Sequence, residues 1–254
     1  MTAQRDLRRN DISSEEWALR VELAACYRIF DRLGWTELIY NHITMRVPGP
    51  ERHFLINPFG LHYSEVRASN LVKVDLDGNI VGPSEWGINP AGYVAHSAVH
   101  AVRADAHCIM HTHTTAGLAV ACMPQGLEHT NFYSAQLYGQ VAYHDFEGIT
   151  VDPDERPRLA RDLGDKHYMI LRSHGLLAMG ETIPIAFARL WTLERACQIQ
   201  YATKTMGGGE IPVPPEVCER ASRQSLQFDP AAGARLQFDA LVRQIDAKDP
   251  SYKL

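Results

Sequence analysis

Apolar residues recur three or four positions apart over residues 17–33, the spacing that one face of an α-helix requires. Ser13 and Glu16 precede this stretch with the spacing of a capping box, so Ser13 is predicted to cap the helix. Gly34 follows the last apolar position and predicts the end of the helix. The same reasoning predicts further helices over residues 90–102, 115–122 and 182–205, and two polar helices near the end of the chain.

Short apolar runs separated by turn residues predict strands. These runs cover residues 43–47, 54–56, 71–74, 107–110, 167–171 and 176–179. Asp77 and Gly78 lie between two apolar runs and predict a hairpin turn. The strands of the first half follow one another too closely for helical crossovers, which favours antiparallel pairing. We therefore predict a single α/β domain over residues 1–254, an α/β/α sandwich with a mostly antiparallel central sheet.

The composition narrows the class of protein. The chain has 254 residues and a net charge of −5, so it is long enough for a core and lacks the basic balance of a nucleic-acid-binding protein. Its five cysteines include no C-x-x-C pair, which argues against a disulfide framework or a cysteine-rich zinc site. The first ten residues are charged, and no apolar run is long enough to span a membrane. We therefore expect a cytoplasmic protein with no nucleic-acid or membrane partner.

Histidine is unusually frequent, with twelve residues in the chain. His111 and His113 are two positions apart at the end of a predicted strand, so their side chains point to the same face. Imidazole nitrogens at this spacing can chelate zinc, iron, cobalt or manganese. His174 follows another predicted strand and precedes Gly175, which permits a sharp turn. Three histidines with an open position suit a catalytic divalent metal, whereas the alternative is that they only hydrogen-bond to backbone carbonyls.

Four segments of the chain resemble the class II aldolase/adducin family. They are Asn89-Pro-Ala-Gly-Tyr93, His96-Ser-Ala-Val-His100, Ile109-Met-His-Thr-His113-Thr and Leu171-Arg-Ser-His-Gly175. The resemblance extends over residues 15–245 and implies a class II aldolase-like fold. It implies one divalent metal ion per chain, zinc first and otherwise manganese, cobalt or iron, bound by His111, His113 and His174. It also implies a homotetramer with active sites between subunits.

Two further segments match the substrate-binding positions of the family. Tyr40-Asn41-His42-Ile43-Thr44 resembles the G-N-x-S turn that supports substrate in sugar-phosphate aldolases, which implies that Asn41 contacts substrate. Asn57 and Gly60, in Leu55-Ile-Asn-Pro-Phe-Gly60, stand where a Thr-Gly pair helps to bind phosphate. This replacement resembles the adducin-like branch and argues against a phosphorylated substrate.

The acid/base group is the main departure from the family. Aldolases of the family carry a carboxylate shortly before the H-x-H pair in a P-S-x-E/D turn, and Pro83-Ser84-Glu85-Trp86 is similar to it. The resemblance makes Glu85 the candidate acid/base and Ser84 a candidate substrate contact. However, an ungapped count back from H-x-H puts the family carboxylate near Gly92. Either an insertion moves the loop, or the carboxylate is missing and Glu85 is a surface residue.

Three other residues are candidates from the same resemblance. His96 falls where the family commonly has a histidine near the metal, and core packing is the alternative. Tyr133 is the closest match to a tyrosine that serves the neighbouring subunit's site as a proton donor, and packing is again the alternative. Arg172, beside His174, could bind a substrate carboxylate or be a solvated surface residue.

Together these features predict a metal-dependent carbon–carbon lyase that acts on a small hydroxy-carbonyl or hydroxylated aromatic substrate. The reaction would be retro-aldol cleavage or decarboxylation, in which the ion stabilises the charge left on a substrate oxygen. A non-haem Fe(II) oxygenase using the same histidines is one alternative. A non-catalytic, adducin-like scaffold is another, although adducins of that branch lack the full triad that this chain retains.

Overall fold

The computed structural model describes residues 12–149, 152–207, 209–228 and 230–254, so the charged N-terminal segment discussed above lies outside them. The strands are β1 (His42–Arg46), β2 (Phe54–Ile56), β3 (Val72–Val74), β4 (Cys108–Thr112), β5 (Val141–His144), β6 (Tyr168–Leu171) and β7 (Gly175–Gly180). The helices are α1 (Ser14–Leu33), α2 (Pro90–Val102), α3 (Thr115–Ala121), α4 (Phe132–Gln136), α5 (Arg156–Leu163), α6 (Ile183–Thr205), α7 (Pro215–Ser225) and α8 (Pro230–Lys248). No helix within the described ranges combines the length and apolar character that crossing a membrane requires.

The strands form one sheet in the order β3-β2-β1-β4-β7-β6-β5. Neighbouring strands are antiparallel except β5 and β6, which are parallel. The predicted mostly antiparallel sheet is therefore confirmed. The predicted hairpin at Asp77 and Gly78 is present as a single antiparallel bridge between Val74 and Ile80.

Helices cover both faces of the sheet, and the central strands divide their side chains between two cores. In β4, Cys108 and Met110 pack into the core to which α1, α3, α6 and α8 contribute, whereas Ile109 packs against α2 and α5. In β7, Leu176 and Leu177 divide in the same way. Strands buried on both faces contain apolar runs without alternation, which explains the continuous apolar stretches in the sequence. The predicted α/β/α sandwich is confirmed.

The start of α1 follows the sequence prediction only in part. The Ser13 hydroxyl oxygen accepts a hydrogen bond from the Glu16 backbone N–H at 3.1 Å. The Glu16 side chain does not complete the capping box, because it accepts hydrogen bonds from Arg20 Nε and Lys73 Nζ, both at 2.9 Å. Gly34 ends the helix with a φ of 70°, as predicted.

Three elements of the second half are absent from the sequence prediction: α4, β5 and α5. Asn131 caps the five-residue helix α4 by accepting hydrogen bonds from two backbone N–H groups. Strand β5 has only four residues, and α5 is strongly polar with two buried positions. Elements this short carry too few apolar positions to show a period.

The hydroxyl group of Tyr27 holds β1 and β2 together where their ladder stops. The ladder pairs Met45 with Leu55, and the opposed residues Ile43 and Asn57 are no longer bonded to each other. Tyr27 Oη accepts hydrogen bonds from the Ile43 and Asn57 backbone N–H groups, at 2.9 and 3.1 Å. It donates to the Ile43 carbonyl at 2.5 Å. One buried hydroxyl therefore satisfies several backbone hydrogen-bonding groups next to the segment Asn41–His42.

Replacing Tyr27 with phenylalanine should destabilise the protein by about 3 kcal/mol, because two buried N–H groups lose their acceptor. Urea unfolding at pH 7 measures this change. Tyr201→Phe is the matched control, because Tyr201 lies half-exposed on α6, and its stability should equal that of the wild type. Equal stability of Tyr27→Phe and Tyr201→Phe would contradict the role assigned to Tyr27.

Candidate metal centre

Three histidine side chains converge at one end of β4 and β7. His111 lies in β4, His113 follows that strand directly, and His174 lies in the turn between β6 and β7. Their candidate ligand nitrogens all lie within 4.8 Å of one another. His111 Nε2 and His113 Nε2 are 2.7 Å apart. The structure thus brings together the three residues predicted as metal ligands.

Gly175 allows the turn that carries His174 to pack against β4. A Cβ atom at Gly175 would lie 2.2 Å from the Thr112 carbonyl oxygen, a distance that no side chain can tolerate. Ser173 has a φ of 55°, in the left-handed region. The Ser-His-Gly sequence is therefore constrained by the backbone as well as by the chemistry of the histidine.

The protonation of His111 suits metal binding. Its Nδ1 lies 2.8 Å from the Leu176 carbonyl oxygen, which can only accept, so Nδ1 carries the hydrogen and Nε2 has a free lone pair. Burial lowers the pKa of His111 well below its usual range and that of His174 to about 4. Burial also lowers the pKa of His113, against the opposing effect of Glu37. Three neutral imidazoles with converging nitrogens fit a divalent cation.

A cavity of about 300 Å³ opens beside the three histidines. Its described lining also includes Glu37, Tyr40, His42, Asn89, Ala91, Gly92, Ala95, Phe146, Gly148 and Ile149. Glu37 is the only carboxylate among these lining residues, and it is exposed at the surface. No lysine or arginine occurs among them. The cavity therefore joins a wall of three histidines to walls that are mainly apolar.

Behind this cavity, buried side chains form a continuous series of hydrogen bonds. His42 Nδ1 lies 2.9 Å from His96 Nε2, and Thr44 Oγ1 lies 2.7 Å from His96 Nδ1. The same Thr44 hydroxyl lies 2.8 Å from His100 Nε2. His100 Nδ1 completes the series at 2.8 Å from the Ala106 carbonyl oxygen. We call these four side chains the histidine chain.

The position predicted for the family carboxylate is occupied by Gly92, in the first turn of α2. A Cβ atom at Gly92 would lie 2.0 Å from Cδ2 and 2.1 Å from Nε2 of His42. The imidazole of His42 thus fills the space that a side chain at position 92 would need.

Glu85 and Ser84 do not line the histidine cavity of their own chain. Glu85 is exposed and lines a separate surface cavity with Arg28, Arg67 and Asp249. The Ser84 hydroxyl accepts from the Trp86 N–H and donates to the Trp86 carbonyl, which stabilises the turn. Of the two possibilities that the sequence left open for Glu85, the geometry within one chain favours the surface residue.

The other predicted substrate contacts also lie outside the described cavity lining. Asn41 and Asn57 are buried, and Asn57 Oδ1 lies 3.0 Å from Tyr27 Oη. Gly60 is exposed and has a φ of 103°. Arg172 bonds to the Met123 and Pro124 carbonyl oxygens, and its guanidinium lies over the Tyr143 ring. These contacts indicate supporting roles within one chain.

His96 and Tyr133 are placed differently from each other. His96 is fully buried and forms the second link of the histidine chain, so it lies behind His42 and not on the cavity wall. Tyr133 packs edge-on against Trp191 at 5.5 Å between ring centroids. A role of Tyr133 in a neighbouring subunit concerns an assembly and stays a prediction.

Sequence reasoning assigned no role to His42, Glu37, Phe146 or Ile149, all of which line the cavity. For His42 a signal was present, because His42 and Thr44 are two residues apart on a strand, as are His111 and His113. Glu37, Phe146 and Ile149 lie in irregular segments, where periodicity gives no direction for a side chain.

Comparison with known proteins agrees with this architecture. Residues 21–201 match the family model described as the Class II Aldolase and Adducin N-terminal domain. A protein of Caulobacter vibrioides, provisionally named a class 2 aldolase, is 41% identical over 241 residues, which cover 95% of this chain and 94% of the relative. Alpha-adducin of Rattus norvegicus is 48% identical over 215 residues, which cover 82% of this chain but 29% of that protein. The chain belongs to the class II aldolase/adducin family.

Solved structures give the same result for the fold. An aldolase II superfamily protein from Pseudomonas syringae superposes with a TM-score of 0.91 and 45% identity, covering 97% of this chain and 99% of that one. L-fuculose 1-phosphate aldolase from Glaciozyma antarctica superposes with a TM-score of 0.79 and 30% identity, covering 92% and 90%. The predicted class II aldolase-like fold is confirmed.

The buried histidines should make the metal-free protein less stable as the pH falls from 7 to 5. Burial lowers the pKa of His100 to about 3 and the pKa values of His42 and His96 well below the usual range. The unfolded chain therefore binds more protons than the folded chain, and stability is lost below the unfolded pKa of about 6.5. His100 alone should contribute a loss of about 2 kcal/mol between pH 7 and 5.

Urea unfolding of chelator-treated protein at pH 7, 6 and 5 measures this loss. A free energy of unfolding that is constant over this range would contradict the burial of neutral imidazoles.

Proposed function

We propose that this protein is a divalent-metal-dependent carbon–carbon lyase that acts on a small hydroxy-carbonyl or hydroxylated aromatic compound. The convergence of His111, His113 and His174 on one wall of a cavity carries the proposal. Membership of a family that includes an L-fuculose 1-phosphate aldolase of 30% identity supports it. Retro-aldol cleavage and decarboxylation both leave an electron pair that a substrate oxygen must accommodate.

The three imidazoles would hold the ion, with Leu176 fixing the ring of His111 through the hydrogen bond to its Nδ1. A bound divalent ion supplies a positive charge that stabilises negative charge developing on a substrate oxygen. The Thr114 hydroxyl donates to Glu194 on α6 at 2.5 Å, which fixes the segment that follows His113. The segments on both sides of His113 are therefore tied to neighbouring elements by hydrogen bonds.

The cavity favours an unphosphorylated substrate. Its described lining contains no lysine or arginine, so a phosphate group would find no cationic side chain there. Phe146 and Ile149 present apolar surface and Phe146 lies 6.3 Å from the His174 ring, between ring centroids. These contacts suit a short carbon chain or an aromatic ring.

We further propose zinc as the native ion, a cytoplasmic location and a homotetramer with sites between subunits. Tyr133 would then serve the cavity of a neighbouring chain. Glu37 is a second carboxylate candidate, because it lines the cavity of its own chain.

The first prediction from this proposal concerns metal content. Purified protein should contain about one divalent ion per chain, and His113→Ala should lose it while keeping the far-UV circular dichroism spectrum, since one imidazole ligand is removed. His53→Ala, outside the site, is the matched control and should retain the ion. If purified wild-type protein were folded but contained no metal, this result would contradict the lyase proposal and favour a non-catalytic scaffold.

The second prediction concerns activity. The metal-loaded protein should release an aldehyde or carbon dioxide from an unphosphorylated hydroxy-carbonyl or hydroxy-aromatic acid, at a higher kcat/KM than from the phosphorylated analogue. Glu85→Gln should keep kcat within about twofold, because surface substitutions away from a site have small effects. A fall of orders of magnitude in Glu85→Gln would instead make Glu85 the acid/base group. Consumption of oxygen without cleavage would favour an oxygenase.

A further inference from the structure

The buried end of the histidine chain determines which atom donates and which atom accepts in each of its hydrogen bonds. His100 Nδ1 faces the carbonyl oxygen of Ala106, which has no hydrogen to donate, so Nδ1 must carry the hydrogen. A neutral imidazole then has a lone pair at Nε2, and the Thr44 hydroxyl must donate to it. The Ala106 carbonyl therefore fixes the donor and the acceptor in the first two hydrogen bonds of the series.

The donors and acceptors are fixed in the same way from Thr44 to the cavity. Because the Thr44 hydrogen is used, Thr44 Oγ1 accepts from His96 Nδ1, and His96 Nε2 has a lone pair. His42 Nδ1 must donate to that lone pair. A neutral His42 therefore has no hydrogen on Nε2, the atom at the cavity end of the series.

The surroundings keep these imidazoles neutral. His96 and His100 are fully buried, and His42 is 4% exposed. No carboxylate among the described residues hydrogen-bonds to any of the three, and the charged groups nearest His100 are the cations Arg46 and Arg52. A buried imidazolium without a carboxylate partner is strongly unfavourable.

His42 Nε2 is available to a ligand. His42 lines the cavity together with His111, and their ring centroids are 5.4 Å apart. Within the described part of the chain, no group hydrogen-bonds to His42 Nε2. Only glycine at position 92 leaves room for the ring in this orientation, since a Cβ atom there would lie 2.1 Å from Nε2.

We propose that His42 Nε2 accepts a hydrogen bond from a hydroxyl group of the substrate. The carbonyl of Ala106 fixes this acceptor role through the four hydrogen bonds of the histidine chain. His42 is thus a specificity-determining residue that favours a substrate with a hydroxyl hydrogen over the corresponding ether. Thr44 and His100 are positioning residues. The substrate part of this inference rests on the proposed function, whereas the tautomer of His42 does not.

The first test measures the tautomer in metal-free protein by ¹⁵N chemical shifts of labelled histidine at pH 7.5. Wild-type His42 should show hydrogen on Nδ1 and none on Nε2. Thr44→Val interrupts the hydrogen bonds of the histidine chain and removes the acceptor for His96 Nδ1. The Nε2–H form of His42 should therefore become populated, whereas the control His53→Ala should match the wild type. Hydrogen on Nε2 of wild-type His42 would overturn the proposal, and this measurement needs no variant to fold.

The second test measures binding to metal-loaded protein of two probes, hydroxyacetone and methoxyacetone. Wild-type protein should bind hydroxyacetone more tightly than methoxyacetone. The ratio of the two binding constants should be about tenfold smaller in His42→Phe, which is the effect of one hydrogen bond to a buried acceptor. Metal content is measured for both proteins, since the preference is compared at equal occupancy. An unchanged preference in metal-loaded His42→Phe would contradict the role of His42.

The two tests separate the failure of this inference from that of the proposed function. A wild-type protein that binds no metal would overturn the lyase, but the tautomer of His42 would still be measured in the first test. A protein that cleaves its substrate with Nε2–H on His42 would retain the lyase and reject the acceptor role.

Discussion

The position of β4 between β1 and β7 is the constraint on which the site depends. Its register places His111 opposite His42 on one side and opposite Leu177 on the other. Because side chains alternate along a strand, a slip of one residue would turn His111 away from α2 and into the opposite core. The close contact of Gly175 with the Thr112 carbonyl oxygen brings His174 to the same edge. The convergence of the three histidines is thus a consequence of strand register.

The features predicted best from the sequence are those decided by local chemistry. The start of α2 follows from Asn89 as cap and Pro90 at the first helical position, both of which act within a few residues. The shared face of His111 and His113 follows from the period of a strand, and the structure brings His174 to them as the family resemblance implied. The start of α2 and the shared face of His111 and His113 did not need the position of a distant segment, whereas the approach of His174 came from the family resemblance alone.

The rest of the site depends on contacts between distant segments. His42 becomes a cavity residue only because β1 pairs with β4 and because Gly92, fifty residues further on, leaves room for its ring. Glu85 was a candidate because its turn is similar to a family pattern, and within one chain that turn folds towards Arg28 and Arg67 on another surface. Sequence similarity at a turn does not fix where the turn points, since its direction is decided by packing around it.

The end of the histidine chain at the Ala106 carbonyl has a consequence for proton movement. A backbone carbonyl cannot pass a hydrogen onward, so no proton can leave the buried end of the series for bulk water. The histidine chain therefore provides no path for a proton from the cavity to solvent on the inner side. Protons can instead exchange with bulk water at the open mouth of the cavity, where Glu37 is exposed. The fold thus separates the Ala106 carbonyl, which fixes the donors and acceptors of the histidine chain, from the cavity mouth, where protons can exchange with water.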